Sequence, residues 1–358
     1  MKHLTKIFQI LKKIFSGYET PPCVGVDIGS TSVKMVELCH NSLKIANYSI
    51  NAIARNLVID GVINNIEQVS AAVLSQWDLL NSEYNQVAIA IPYNAVIIKD
   101  IITPKFKTKY ELDNYVLKQL IQELDTDDID FDYTITSDQL TDQNLLVIVA
   151  KKEKIEEYQA VMQLSGIKIA AVDIEPFAIQ NLFDKLLKNN PLNKQMVLID
   201  IGSTRVRAYA FEQEHIYFNE INVNYSYCIE DLLTVYDKNL VKDTTDFNNL
   251  LIELIESKEI NPVELVNLIV SDVNKLLQLV KSNLLVEKKI SLANDYEIYL
   301  MGGNALISGV LHKISSSQHV KVRYADEFVV SLNNKIPQRD LIRLIPALAL
   351  ATWGQQIA

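Results

Sequence analysis

Residues 24–34 read Val-Gly-Val-Asp-Ile-Gly-Ser-Thr-Ser-Val-Lys, and residues 197–207 read Val-Leu-Ile-Asp-Ile-Gly-Ser-Thr-Arg-Val-Arg. Both copies run from an apolar stretch into Asp-Ile-Gly-Ser-Thr and return through one variable residue to Val and a base. Asp27 and Asp200 stand 173 positions apart in a chain of 358, so the chain reads as two related halves that open on the same hairpin. In each copy a buried strand ends at the Asp. The Gly two positions later lets a bulky anion approach the backbone, while Ser and Thr offer hydroxyls and N–H groups. Two such turns facing each other across a cleft would hold the phosphates of a nucleotide, with Asp27 and Asp200 directed at a hydrated Mg ion. The chain has no G-x-x-x-x-G-K-[ST], and no helix is expected directly after either Gly. The expected cradle is therefore a hairpin and not a helix N-terminus. Alone, either copy reads equally as an ordinary tight hairpin; the duplication favours the cradle.

A chain of 358 residues suits about two domains, and a composition nearly half hydrophobic predicts a folded, soluble protein. The net charge of −10 argues against a nucleic-acid partner, because no broad basic field is available to displace counterions. Cys23, Cys39 and Cys228 have no paired spacing, which excludes a disulfide framework and a Cys-held metal cluster. The five histidines are scattered without metal-ligand spacing. The chain has only 10 glycines, yet Gly29, Gly202, Gly302, Gly303 and Gly309 fall in three short stretches that a nucleotide would touch.

In chain order, residues 1–17 predict an amphipathic helix. Leu4, Ile7, Phe8, Leu11, Ile14 and Phe15 form one stripe, with lysines opposite. The apolar stretch is too short to span a bilayer. It suits a membrane surface or a docking site on protein equally. Strands are expected near 23–29, 32–38, 43–50 and 87–91, with a helix near 65–80. Over 93–170 the order strand, helix, strand, strand, helix, strand predicts a small inserted α+β unit. A helix over 173–187 leads to the break at Asn189-Asn190-Pro191, and the second hairpin follows. Residues 229–290 read as mostly helical. Leu300 to Ala305 predicts a strand ending in Gly302-Gly303 and opening a helix, either a site of close approach to a ligand or a plain helix cap. Residues 344–354, rich in alanine, are expected to meet the 173–187 helix between the halves.

The two D-x-G hairpins, the stretch L-M-G-G-N-A-L-I-S-G and the alanine-rich helix resemble the actin/Hsp70 and sugar-kinase ATPase fold: α/β, two lobes, duplicated. The insertion resembles that of the FtsA branch. The collinear stretches V-A-I-A-I-P-Y-N-A-V-I-I-K-D-I, L-L-V-I-V-A-K-K-E-K-I-E-E-Y and G-I-K-I-A-A-V-D-I-E-P-F-A, taken with the hairpins, resemble the PilM family of type IV pilus assembly proteins from Cys23 onward. That resemblance implies a first lobe of 23–92 plus 171–190, an insertion of 93–170, and a second lobe of 191–228 plus 296–358. A helical nucleotide-side unit would occupy 229–295, and residues 1–22 would precede the fold as helix and linker. It assigns Asp27, Gly29, Ser30, Thr31 and Lys34 to the first phosphate hairpin. Asp200, Gly202, Ser203 and Thr204 go to the second, and Gly302, Gly303 and Asn304 to the nucleoside side. Where the family usually has Gly-Gly after the strand at 215–223, this chain has Asn224-Tyr225-Ser226-Tyr227.

The resemblance further implies ATP and Mg as cofactors, with a cytoplasmic position peripheral to the inner membrane. The partner would be the N-terminal cytoplasmic tail of a PilN-like membrane protein, held between the first lobe and the insertion, and the assembly motor ATPase would lie beyond. Spacing alone names no residue that positions an attacking water, so the expectation is an ATP-binding scaffold with at most slow hydrolysis. A small-molecule kinase of the same fold and an FtsA-like filament protein are the alternatives. The first would need an acceptor pocket with a catalytic Asp, and the second resembles a design with its amphipathic helix at the other terminus. The cysteine count excludes an iron–sulfur dehydratase activator.

Overall fold

The computed structural model of the chain describes residues 21–54, 56–188, 195–212, 215–225, 262–288, 296–333 and 335–356. The helix expected over 1–17 lies outside these residues, as do 229–261 and 289–295 of the expected helical unit.

The first lobe opens with an antiparallel meander of β1 (Val24–Ile28), β2 (Ser32–Leu38) and β3 (Ile45–Ala52). A short ribbon, β4 (Val58–Ile59) with β5 (Val62–Ile63), leads into α1 (Ile66–Leu80), whose N-terminus Asn65 caps by accepting from the Gln68 N–H. β6 (Gln86–Ile91) then lies parallel to β1.

The inserted unit is β7 (Val96–Pro104), α2 (Lys109–Leu124), β8 (Ile129–Asp138) and β9 (Asp142–Lys151). Its strands form an antiparallel sheet in the order β7-β9-β8. Leu112, Val116 and Leu120 recur every fourth residue on α2 and pack on Tyr133, Leu145, Val147 and Val149 to make a core of its own. Thr108 and Glu111 close a capping box at the start of α2, worth about 1 kcal/mol.

α3 (Lys152–Leu164) and β10 (Lys168–Ile174) return the chain to the first lobe. Tyr158, Val161 and Met162 of α3 share a core with Val69 and Val73 of α1, and β10 pairs parallel with β6. Within 93–170, β7, α2, β8 and β9 share a core of their own, while α3 and β10 pack on α1 and β6. The apolar stripe of α3 fits the first lobe's sheet, and periodicity alone cannot tell which sheet a strand joins.

α4 (Glu175–Leu187) crosses to the second lobe. There β11 (Gln195–Ile201), β12 (Arg205–Glu212) and β13 (His215–Asn222) repeat the meander, and β14 (Tyr296–Met301) lies parallel to β11. The long α5 (Pro262–Lys288) separates β13 from β14 in sequence. α6 (Val310–Gln318), β15 (Val322–Tyr324) and α7 (Gln338–Leu350) complete the lobe. The sheet orders are β10-β6-β1-β2-β3 and β15-β14-β11-β12-β13, with the same relative directions at every step, so the repeat seen in eleven residues extends to both sheets. Ile269, Val273, Leu276, Val280 and Leu284 of α5 pack into the second lobe's core beside Tyr209 and Tyr217. This is the described part of the expected 229–295 unit.

Two helices join the lobes. α7 lies against β1, β2 and α4, as its alanines suggested, and Gly25 lets it approach. A Cβ on Gly25 would sit 1.9 Å from the Ala347 carbonyl oxygen and 2.3 Å from the Ala351 nitrogen. Phe183 of α4 reaches the second lobe, where it packs on Phe211 and Phe328.

Just beyond α7, the Trp353 Nε1–H donates to Asp173 Oδ2 at 2.7 Å. Burial pushes the Asp173 carboxyl up to about 6, against the hydrogen bonds from Ile174 and Trp353. A raised carboxyl pKa makes this group's contribution to stability fall as pH rises from the unfolded value near 4 towards about 6. Trp353→Phe removes a donor to the charged form. It is expected to cost about 1.5–3 kcal/mol at pH 8 and distinctly less at pH 5, where Asp173 is neutral in both proteins. Chemical denaturation at the two pH values measures this; an equal loss at both would show that the hydrogen bond does not favour the carboxylate.

Candidate functional site

The two hairpin turns are closed by the same bond. Gly29 N–H donates to the Ser32 carbonyl at 3.0 Å, and Gly202 N–H donates to the Arg205 carbonyl at 3.0 Å. Antiparallel pairing returns each second strand so that the base of the motif stands opposite its Asp: Asp27 faces Lys34 and Asp200 faces Arg207 in register. Lys34 Nζ lies 2.8 Å from Asp27 Oδ2, and Arg207 Nη1 lies 2.6 Å from Asp200 Oδ2. The turns also touch each other, since the Ser30 and Thr204 hydroxyls share a hydrogen bond of 2.6 Å across the lobes.

Gly302 and Asn304 hold the second hairpin from behind. Gly302 has φ +86, and a Cβ there would fall 2.2 Å from Asp200 Oδ1, so only glycine fits between β14 and the hairpin. Asn304, 1% exposed, donates from Nδ2 to the Gly202 carbonyl at 2.9 Å. Residues 303–306 form a 3₁₀ turn, and α6 begins only at Val310, so the helix expected directly after Gly-Gly is delayed. At the position where the resembling family has Gly-Gly, Tyr225 is buried with its hydroxyl 3.3 Å from Asp272 Oδ2, and its N–H donates to the Ser203 carbonyl.

A cavity of about 90 Å³ lies between the lobes. At roughly 10–15 Å³ per water it holds a handful of waters. All twelve sequence-selected residues, Asp27, Gly29, Ser30, Thr31, Lys34, Asp200, Gly202, Ser203, Thr204, Gly302, Gly303 and Asn304, line it. Its lining also includes Tyr158, Glu175, Arg205, Arg207 and Arg343, which the sequence reading did not select. Arg207 had a usable signal, because it occupies the repeat position of Lys34. Glu175 had none: it is brought in at the start of α4 by the turn from β10.

These residues form a buried charge network. Arg207 Nη1 reaches Glu175 Oε1 at 3.3 Å as well as Asp200, its Nε lies 3.6 Å from Glu220 Oε2, and the Tyr209 hydroxyl donates to Glu175. Burial opposes the Arg207 charge, yet Glu175 and Asp200 outweigh it and hold that group well above its ordinary value. Burial pushes the Asp200 carboxyl up, against the pull of Arg207. Burial, reinforced by Arg207, lowers the Arg205 guanidinium. The lining carries the acids Asp27, Glu175 and Asp200 and the bases Lys34, Arg205, Arg207 and Arg343, one excess positive charge in a chain of net −10. Glu220, 3.5 Å from Arg205 and 3.6 Å from Arg207, offsets that excess just behind the wall.

Both acids of the repeated motif are engaged by other groups. Asp200 is 5% exposed, its Oδ2 is held by Arg207, and its Oδ1 is covered by Gly302. Asp27 Oδ2 is held by Lys34. Asp27 Oδ1 lies outside these pairs, beside the cavity that Asp27 lines. Among the described residues, no group of three or more His, Cys, Asp or Glu side chains is gathered to hold a metal ion.

The family described as Type IV pilus assembly protein PilM matches residues 25–354. The chain belongs to the PilM family. Among solved structures, this PilM-family chain is similar to a PilM-PilN type IV pilus biogenesis complex, with 17% identity and a TM-score of 0.67 over 93% of this chain and 98% of that one. It also matches the ethanolamine utilization protein EutJ from Carboxydothermus hydrogenoformans at 15% identity and a TM-score of 0.49, over 93% of this chain and 90% of that one. MreB5 of Spiroplasma citri bound to AMPPNP matches at 11% identity and a TM-score of 0.40, over 87% of this chain and 94% of that one. The fold of this PilM-family chain is the actin-like ATPase fold expected from the duplicated hairpins. No helix among its described residues is long and apolar enough to cross a membrane.

Proposed function

We propose that this PilM-family chain is a cytoplasmic ATP-binding scaffold at the inner face of the inner membrane. It binds the N-terminal cytoplasmic tail of a single-pass PilN-like protein and links it to the assembly motor. The observation that carries the proposal is that both connections of the inserted unit pass through the cavity wall. Pro92, which lines the cavity, stands four residues before β7. β9 runs directly into α3, whose Tyr158 lines the cavity and donates its hydroxyl to the Gly61 carbonyl at 3.1 Å. A ligand that moves these two positions moves the inserted unit against the first lobe.

The Ser30–Thr204 bond ties the two hairpin tips together at the cavity, so a ligand that changes their spacing acts on the lobe angle. Nucleotide and partner are then coupled through the lobe angle. β7 is an edge strand with Ile97 and Ile102 exposed, which suits pairing with an extended peptide.

A fluorescence titration of the full chain with the partner's tail peptide, with and without ATP, tests the proposal. The expected result is saturable binding at about micromolar affinity or tighter, shifted by roughly fivefold or more when ATP is present. Absence of binding in both conditions would sink the scaffold assignment.

A further inference from the structure

β1, β6 and β10 run parallel in the first lobe's sheet, so all three begin at one edge. The chain enters at that edge. Pro21 and Pro22 come just before β1, and the Gln86 Nε2–H donates to the Pro21 carbonyl at 3.1 Å where β6 starts. Two helices arrive at the same place: residues 81–85 join α1 to β6, and residues 165–167 join α3 to β10.

The flanks of those helices meet. The Ser165 hydroxyl, just past α3, donates to the Ser70 carbonyl of α1 at 3.0 Å. Leu74 and Trp77 follow Ser70 at four and seven residues, on the flank of α1 that faces α3. Leu74 is 41% exposed, and Leu164, beside Ser165, is 61% exposed. Trp77 packs on the core only in part. An apolar furrow between two helices is thus left open among the described residues.

The sequence of residues 1–17 matches that furrow in reach, length and charge. Residues 18–20 span at most roughly 10 Å to Pro21, and a seventeen-residue helix would be about 25 Å long, against about 22 Å for α1. Residues 1–17 carry four lysines and no acid. α1 carries no lysine or arginine, and Glu67 and Asp78 stand on the line of Leu74, seven residues before it and four after.

We propose that residues 1–17 dock as a helix in the furrow between α1 and α3 of their own chain, with Leu4, Ile7, Phe8, Leu11, Ile14 and Phe15 laid on Leu74, Trp77 and Leu164. A stripe buried there is closed to a lipid surface, so docking and membrane binding by this segment exclude each other. The proposal stands apart from the nucleotide and tail-peptide readings above.

Acrylamide quenching of Trp77 in the full chain tests it, with Trp353→Phe removing the other tryptophan. Phe8→Asp and Leu11→Asp, made together, should raise the quenching constant by roughly twofold or more, because Trp77 loses its cover. Leu164→Asp, at an exposed position, should do the same, and the three changes combined should add little to either alone. Cooperative melting of each variant shows that the quenching reports the furrow and not unfolding. Quenching unchanged by the Phe8 and Leu11 changes overturns the proposal; loss of binding to phosphatidylglycerol vesicles by that variant would then give the stripe to a membrane. Full additivity of the two sets of changes also overturns it, since they would act at different places. So does a parent that sediments as a dimer and a Phe8 and Leu11 variant that sediments as a monomer, since the stripe would then lie on a second copy.

Discussion

Arg207→Ala is expected to cost about 3–5 kcal/mol of folding stability, a large share of what holds a domain together. The guanidinium lies between Asp200 and Glu175 and within 3.6 Å of Glu220. Removing it leaves three carboxylates facing one another in a site with little water. The size of the effect comes less from the attraction lost than from the charges left uncompensated. It should depend on pH with a definite sign. Burial already raises the Asp200 pKa, and loss of Arg207 removes the main opposing influence, so the variant's Asp200 takes up a proton more readily in the folded state. The stability deficit should therefore be greatest at neutral and alkaline pH and should shrink as pH falls. Urea denaturation at pH 5 and pH 8 measures this. A loss below about 1 kcal/mol at pH 8 would mean that the network is solvated and contributes no more than surface pairs do.

Gly25→Val is expected to be larger still, above about 4 kcal/mol, so that little folded protein accumulates. The atoms that the new side chain meets are backbone atoms of α7, the Ala347 carbonyl at 1.9 Å and the Ala351 nitrogen at 2.3 Å, and these cannot rotate away. α7 would have to lift from β1, which exposes the face that carries Leu344, Ala347, Leu348 and Ala351, all buried in the parent. Soluble yield and cooperative melting are the measurements. A variant that melts within a few degrees of the parent would show that α7 can shift along the sheet and that the close approach is not required.

Several features were legible in the chain because their causes are local. The Asp-Ile-Gly-Ser-Thr hairpin needs only eleven residues to declare strand, turn and return, and its recurrence at 197–207 announced the second lobe. The first helix expected within 93–170 is observed as Lys109–Leu124, since its stripe and its Thr108–Glu111 cap are local to it. The partition of 152–174 was not legible. α3 and β10 alternate as an inserted helix and strand would, and only their packing on α1 and β6 assigns them to the first lobe.

The site divides in the same way. The residue types at the hairpin tips follow from the motif, and all twelve selected residues meet at one cavity. What each one touches does not follow. Asp27 and Asp200 read as metal-directed in isolation, because an Asp at a strand end beside a Gly turn has free oxygens until a neighbour is placed against it. Antiparallel register places Lys34 and Arg207 there, the packing of Gly302 covers the remaining Asp200 oxygen, and the chain's turn from β10 into α4 brings in Glu175 from outside either motif. Short-range pattern thus determined the duplicated architecture and the residues that meet at the cavity. The charge balance within the cradle was decided by contacts between segments far apart in the chain, because Coulomb and desolvation energies depend on three-dimensional neighbours and not on spacing along the sequence.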